Sequence, residues 1–288
     1  MNKIWRDYLV LCKPRVVALM TLTAIVGMCL AAPAGKVPWQ VLILGSLGIT
    51  LTACSGGVVN QLIDRHIDAL MARTKQRPIA AGRIQPLHAW VWAAFLLMTG
   101  MIVLLAFVNP LVALLSFLAM VGYAGVYTLY LKRATPQNIV IGGLAGAMPP
   151  LLGWTAVTGQ IQIPGLLLVL IIFTWTPPHF WALAIHRYAD YVKVNIPMLP
   201  VTHGIPYTRL SILLYTVFMI VSTYLPFIFH VAGVFYLLGV TVLNALFFYY
   251  VWGLYRNKSP RYPWATFRYS IIYLMLLFIC LLIDHVIL

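Results

Sequence analysis

The sequence predicts an all-α polytopic membrane protein with nine transmembrane helices, and three observations support this fold class. Hydrophobic residues make up 62% of the 288-residue chain and charged residues only 8%, whereas soluble proteins carry about 25% charged residues. The mean hydropathy is +0.94. The apolar residues form stretches of about 20 residues, the length that crosses a bilayer as a helix. We expect a single integral-membrane domain over residues 1–288.

Nine stretches meet this length criterion, and each is predicted to form one span. Span six contains Pro177 and Pro178, which a transmembrane helix tolerates because neighbouring groups satisfy the freed backbone. In chain order the predicted spans cover residues 16–34, 39–62, 86–107, 111–130, 136–158, 163–185, 208–229, 232–254 and 266–287.

The basic residues predict the orientation of the bundle. Eighteen of the 19 Lys and Arg residues precede span one or follow spans two, four, six and eight, and only Lys36 falls on the other side. Because cytoplasmic loops are enriched in Lys and Arg, we expect a cytoplasmic N-terminus and an external C-terminus. The same distribution explains the net charge of +14 without a nucleic-acid partner. The four cysteines show no spacing typical of a metal site.

Two cytoplasmic connections, those after spans two and six, are long and rich in charge, Pro and Gly. Each carries an Asp near the preceding helix end (Asp64 and Asp190) and a later Pro-x-x-x-Gly segment (residues 78–82 and 200–204). Long loops in compact domains are usually either functional or disordered. The shared pattern is a weak indication of a duplicated element.

A cluster of oxygen-bearing side chains precedes the first long loop. The chain contains only five carboxylates, all of them Asp. Asn60, Asp64 and Asp68 follow one another at intervals of four residues, so they share one face of a helix. Mg²⁺ is usually held by one or two carboxylates, water and substrate phosphates. The spacing predicts a catalytic magnesium site at the membrane boundary; the alternative is that the acids only face water.

Cations follow this cluster directly, at Arg73, Lys75 and Arg77. A diphosphate bound through Mg²⁺ needs both oxygens for the metal and cations for the phosphate oxygens. When the C–O bond to a diphosphate breaks, the same groups stabilise the charge on the leaving group. The alternative is that these cations only follow the positive-inside rule, and it applies equally to Lys132 and Arg133 after span four.

Two further residues, Asp190 and His179, each have two possible roles. Asp190 is predicted to supply an oxygen to a second Mg²⁺, or else to form a helix-end ion pair with Arg187. His179 lies in an aromatic, proline-rich part of span six, either as a hydrogen-bonded packing residue or in contact with substrate. No two histidines form a transmembrane pair that would ligate a haem iron, so a cytochrome is not favoured. A transporter is the alternative of another class, although transporter ion sites usually lie nearer the bilayer midplane.

Several stretches spread over the whole chain resemble the UbiA superfamily of intramembrane prenyltransferases, and within it the branch that modifies haem. They are residues 13–15 with 19–24, 60–68 with 71–74, 131–143, 174–184, and 190–191 with 196–200. The resemblance implies a nine-helix bundle around a central cavity, capped by the two cytoplasmic loops. It also implies a location in the bacterial cytoplasmic (inner) membrane, with the active site on the cytoplasmic side.

The resemblance further implies a reaction, the Mg²⁺-dependent transfer of a farnesyl group from farnesyl diphosphate to a vinyl group of haem b. It assigns metal and diphosphate binding to Asn60, Asp64 and Asp68 and a second acidic site to Asp190. The full set of side chains that we expect to contact the substrates is Arg73, Lys75, Arg77, Tyr127, Tyr130, Lys132, Arg133, His179, Tyr191 and Asn195.

One position departs from the family pattern. Many members carry a second Asp four residues after the position of Asp190, whereas this chain has Val194 there, with Asn195 beside it. The second metal site is therefore expected to be weaker or differently built. A phenol or quinone precursor stays open as the acceptor, as in other branches. Besides membrane lipid, the partner considered is a downstream oxidase or haem-modifying enzyme.

Overall fold

A computed structural model describes residues 3–33 and 36–287, and within these residues it is helical throughout the membrane-spanning part. Nine of the described helices are long and apolar enough to cross a membrane, which confirms the predicted fold class. The predicted end of span one at residue 34 lies outside the described residues. The helices are α1 (Lys3–Leu11), α2 (Pro14–Ala31), α3 (Val41–Leu70), α4 (Pro86–Phe107), α5 (Pro110–Ala134), α6 (Asn138–Thr158), α7 (Ile163–His186), α8 (Tyr188–Lys193), α9 (Leu199–Thr202), α10 (Gly204–Ile228), α11 (Val234–Tyr255) and α12 (Tyr262–Ile287).

The second span differs most from its predicted bounds. Hydropathy ends it at residue 62, whereas α3 continues to Leu70. Residues 63–70 contain neither Gly nor Pro, so nothing in the chain stops the helix when the sequence becomes polar. As a result, Asn60, Asp64 and Asp68 all lie on one uninterrupted helix.

Helix α7 lies in the interior of the bundle, packed against α6, α10 and α12. Of the 18 consecutive residues that are most apolar in α7, 78% are buried, the largest share among the nine described spans. Elsewhere small residues allow close approach. A Cβ added to Gly153 in α6 would lie 1.9 Å from the Ala24 carbonyl oxygen in α2, so these two backbones can pack at this distance only because Gly153 has no side chain.

The two long cytoplasmic loops, residues 71–85 and 187–203, share a backbone feature. Gly82 and Gly204 end their Pro-x-x-x-Gly segments with φ values of 71° and 82°, a left-handed conformation that glycine adopts without steric cost. Gly82 lies shortly before α4, and Gly204 is the first residue of α10. The loops are tied to the same apolar core, because Met71 of the first belongs to one buried cluster with Tyr191 and Ile196 of the second.

Two of the five Asp residues have structural contacts away from the predicted metal cluster. Asp284, buried near the end of α12, accepts hydrogen bonds from the backbone N–H groups of Gly233 and Tyr236 at the start of α11. Asp7 in α1 pairs with Arg83 of the first loop through two contacts of 3.0 and 3.1 Å. Asp284 therefore provides an acceptor for backbone N–H groups that have no partner within α11. Asp7 attaches α1 to the first loop.

Candidate functional site

The oxygen cluster on α3 is buried and internally bonded. Asn60, Asp64 and Asp68 are each no more than 5% exposed. The Asn60 side-chain amide donates to Asp64 Oδ2 at 3.0 Å and to the Thr128 hydroxyl of α5 at 3.1 Å. Buried carboxylates are unfavourable unless paired, so their surroundings must supply positive charge.

Three cations supply that charge, one to each side chain of the cluster. Lys132 donates to Asp64 Oδ2 at 2.6 Å, and Arg77 pairs with Asp68 Oδ2 at 2.6 Å. Lys13 donates to Asn60 Oδ1 and also to the Tyr123 hydroxyl at 2.9 Å. Lys13 has φ of 52° at the turn between α1 and α2, a left-handed conformation that is costly for a residue other than glycine.

Helix α5 presents its polar groups through a π-helical stretch at residues 122–131, a geometry that occurs frequently at functional sites. The Thr128 hydroxyl donates to the Tyr123 carbonyl oxygen at 2.8 Å, and Tyr123 stacks on Tyr127 at 6.0 Å. Tyr127 lies within electrostatic range of Asp64 and of loop residues Arg73 and Tyr191. The π-helical stretch thus brings aromatic and polar side chains to the acidic cluster.

The three predicted cations of the first loop differ in their exposure to solvent. Arg73 and Lys75 are exposed, whereas Arg77 is half-buried. Burial raises the pKa of Tyr191 in the second loop, and the guanidinium groups of Arg73 and Arg77 partly oppose that increase. The two loops therefore approach each other closely enough for their charges to interact.

The second acidic site is more open than the first. Asp190 is half-buried, and in the described part of the chain it forms no ion pair with Arg187. The Arg187 Nε atom is buried without a hydrogen-bond partner among the described residues. Asn195 is exposed and has φ of 51°, which Asn tolerates better than most residues. The helix-end ion pair considered for Asp190 is therefore not formed.

Two predicted substrate contacts lie apart from the cluster. His179 is buried, bonds to the Ser270 hydroxyl at 2.6 Å and stacks on Trp175 at 4.3 Å, which are the contacts of a packing residue. Tyr130 is 68% exposed on the outside of α5. Arg133 is also exposed. The structure thus does not bring His179 or Tyr130 to the acidic residues.

Sequence reasoning missed Lys13, Tyr123 and Thr128 as members of this cluster. The sequence offered one signal, a cation immediately before Pro14 at the start of span one, but the positive-inside rule explained Lys13 equally well. The contacts of Tyr123 and Thr128 depend on how α5 packs against α3, which no local pattern contains.

The donor atoms of the cluster suit a hard cation. Among the described residues no three His, Cys, Asp or Glu side chains form a metal-ligating group, so carboxylates alone do not enclose an ion. Asp64 Oδ1, however, is buried and lacks a hydrogen-bond partner within the described chain. With the amide oxygen of Asn60 and the carboxylate of Asp68 it offers the oxygens that Mg²⁺ prefers when phosphates complete the shell. The residues therefore fit a magnesium–diphosphate complex.

Comparison with known proteins identifies the family. Residues 20–280 match the model of the UbiA prenyltransferase family. Among curated relatives, "Protoheme IX farnesyltransferase" of Azotobacter vinelandii is 59% identical over 98% of this chain and 94% of its own length. The protein of the same name from Marinobacter nauticus is 60% identical over 98% of this chain and 93% of its own.

Solved structures share the fold at low sequence identity. A structure of digeranylgeranylglyceryl phosphate synthase in membranes covers 100% of both chains, with a TM-score of 0.82 at 19% identity. A UbiA homolog from Archaeoglobus fulgidus, bound to GPP and Mg²⁺, has a TM-score of 0.64 at 18% identity and covers 96% of this chain and 99% of its own. The chain therefore belongs to the UbiA prenyltransferase family and is a multi-pass membrane enzyme that transfers prenyl groups.

Proposed function

We propose that this enzyme transfers the farnesyl group of farnesyl diphosphate to a vinyl group of haem b, which gives haem O and diphosphate. The C–O bond to the diphosphate breaks, a C–C bond forms to the vinyl carbon, and addition of water supplies the hydroxyl group of the product. The observation that carries this proposal is the identity of 59–60% over 98% of the chain with proteins named for this activity. Family membership favours an enzyme over the transporter alternative.

We assign the metal to the buried oxygens of α3. Asn60, Asp64 and Asp68 would hold Mg²⁺ with the diphosphate, and Asp190 would contribute an oxygen from the second loop. When bound, the ion supplies charge stabilisation for the departing diphosphate. The free oxygen of Asp64 supports this assignment, as does the Mg²⁺ bound by a homolog that shares the fold.

The cations around the cluster would bind the phosphate oxygens. Lys132 and Arg77 already lie 2.6 Å from the two carboxylates, so a diphosphate at the same metal would be within their reach. Arg73, Lys75 and Arg133 are exposed, and we assign them to the capture of the incoming diphosphate. Such cations orient the leaving group and stabilise its developing charge.

The loops and tyrosines would keep water from the reacting carbon. The first and second loops share one buried cluster, which supports a cap over the cytoplasmic end of the bundle. Tyr127 and Tyr191 lie within electrostatic range of the acids and cations, and we assign their rings to the shielding of an allylic cation. A farnesyl cation must react with the acceptor before it meets water, and an enclosed site provides that exclusion.

We place the active site on the cytoplasmic side of the bacterial inner membrane. Eighteen of the 19 Lys and Arg residues lie on the side of the bundle that carries the two long loops, as the positive-inside rule requires of the cytoplasmic face. Haem b and a farnesyl chain both dissolve in membrane lipid, which supports a site at the bilayer boundary. A downstream oxidase or haem-modifying enzyme stays a prediction as the recipient of the product.

The direct test supplies the purified protein with farnesyl diphosphate, Mg²⁺ and haem b and analyses the porphyrin by mass spectrometry. We expect a porphyrin that has gained one farnesyl group and one hydroxyl group, and no such product when Mg²⁺ is removed by a chelator. An unchanged porphyrin together with prenylation of an added phenolic acceptor would assign the chain to another branch of the family.

A further inference from the structure

Every oxygen-bearing side chain of the α3 cluster is bonded to its own cation, and the three cations come from three separate parts of the chain. One lies at the turn before α2, one in the last turn of α5 and one in the first loop. In order along α3, the pairs are Lys13 with Asn60, Lys132 with Asp64, and Arg77 with Asp68.

These contacts are partly removed from water. The side chains of Lys132 and Arg77 are 15% and 22% exposed, and those of their Asp partners 2% and 4%. Ion pairs in such surroundings are screened less than surface pairs. The cations therefore act strongly on any further charge that enters the cluster.

Asp64 divides its two oxygens between different environments. Oδ2 accepts from both Lys132 and Asn60, whereas Oδ1 is buried and has no partner in the described part of the chain. A divalent cation at Oδ1 would lie within a few ångströms of the Lys132 ammonium group. The oxygen available to a metal is thus next to a positive charge that opposes the metal.

The charge balance of the cluster indicates what can bind there. Two carboxylates face three cations, so the cluster carries net positive charge before anything binds. A divalent metal alone increases this charge and is repelled. A diphosphate that arrives with the metal offers the three cations new oxygen partners and balances the added charge.

We infer that Lys13, Lys132 and Arg77 are exchangeable counter-ions, which leave the side-chain oxygens for phosphate oxygens when metal and diphosphate bind together. Metal and diphosphate binding are then mutually dependent, since each increases the affinity for the other by the same factor. The inference rests on the proposed function. It adds a role for Lys13 and predicts that the enzyme binds metal weakly in the absence of diphosphate.

Equilibrium dialysis of the full-length protein in detergent tests this exchange, with Mn²⁺ as the metal probe and inorganic pyrophosphate as the diphosphate probe. In the wild type we expect Mn²⁺ to bind at least about tenfold more tightly when supplied as its pyrophosphate complex than when supplied alone. In Lys132→Gln we expect Mn²⁺ alone to bind about tenfold more tightly than in the wild type, because a unit charge a few ångströms away is removed. The same variant should bind the pyrophosphate complex more weakly.

Charge exchange predicts that Lys132→Gln binds Mn²⁺ alone more tightly and the pyrophosphate complex more weakly. A folding defect would instead weaken both kinds of binding. Lys13→Gln repeats the test from a different part of the chain. Lys258→Gln removes an exposed cation from the loop before α12 and should change neither affinity.

Two results would overturn the inference. If wild-type protein binds Mn²⁺ alone as tightly as with pyrophosphate while haem farnesylation persists, the exchange is wrong and the proposed function stands. If Mn²⁺ is not taken up under either condition, the metal assignment itself is wrong, and the exchange falls with it.

Discussion

Replacement of Asp64 by Asn tests the assignment of the α3 cluster most informatively, because the change keeps the shape of the side chain and removes its charge. Asp64 is 2% exposed and accepts from Lys132 at 2.6 Å and from Asn60 at 3.0 Å. In Asp64→Asn the side chain still offers one oxygen to these donors. The charge that would hold the metal and balance Lys132 is lost.

The cost to stability should be moderate. Removal of one partner from a fully buried ion pair costs about 3–5 kcal/mol. Lys132 keeps 15% exposure and retains an acceptor, so we expect a loss of only about 1–2 kcal/mol, within the usual range for a weakened buried hydrogen bond. Thermal unfolding in detergent would measure it and would confirm that the bundle still forms.

The cost to catalysis should be much larger. Without a charged ligand for the metal, we expect kcat/KM for haem farnesylation to fall by about 10³-fold or more, equivalent to about 4 kcal/mol of transition-state stabilisation. The assay is product formation measured by mass spectrometry at saturating haem b. Retention of activity within about tenfold of the wild type would refute the metal assignment.

Asp7→Asn is the matched control for this experiment. It makes the same chemical change at an acid whose partner is the partly exposed Arg83. A surface ion pair of this kind contributes at most about 1 kcal/mol, so activity should stay within about twofold. A loss as large as that of Asp64→Asn would show that the assay responds to loop attachment rather than to metal ligation.

Three further predictions concern other acids and the exposed face of α5. Asp190→Asn should reduce turnover less than Asp64→Asn, because the half-buried Asp190 lacks a second acid at Val194; complete loss of product would reverse this order. Asp284→Ala should lower stability by about 1–3 kcal/mol, because two backbone N–H groups lose their acceptor, with turnover per folded molecule unchanged; equal thermal unfolding of variant and wild type would contradict the capping role. Tyr130→Leu should leave kcat and KM within about twofold of the wild type, since this side chain is 68% exposed; a larger kinetic effect would restore Tyr130 to the site.

The spans and the acidic face could be predicted because each depends on local sequence alone. Twenty apolar residues cross a bilayer in any fold, and an interval of four residues shares a helix face in any helix. The extension of α3 to Leu70 was missed because the end of a span was predicted from hydropathy. Hydropathy reports where the chain is apolar, whereas a helix ends only where a residue or a cap stops it.

The rest of the site depends on contacts that no local pattern contains. Lys13 reaches Asn60 across 47 residues of sequence, and Lys132 reaches Asp64 across 68. Tyr127 and Tyr130 lie in the π-helical stretch at residues 122–131, and its wider turn changes the angle between successive side chains relative to an α-helix. His179 was ambiguous because its partner Ser270 lies 91 residues away.

The measurement that tests the central claim most directly is an anomalous diffraction map from crystals grown with Mn²⁺ and a non-reactive farnesyl diphosphate analogue. We expect a metal peak within bonding distance of the Asp64 and Asp68 carboxylates, with the diphosphate contacted by Lys132 and Arg77. A metal peak away from both carboxylates, with the analogue bound elsewhere in the bundle, would contradict the account.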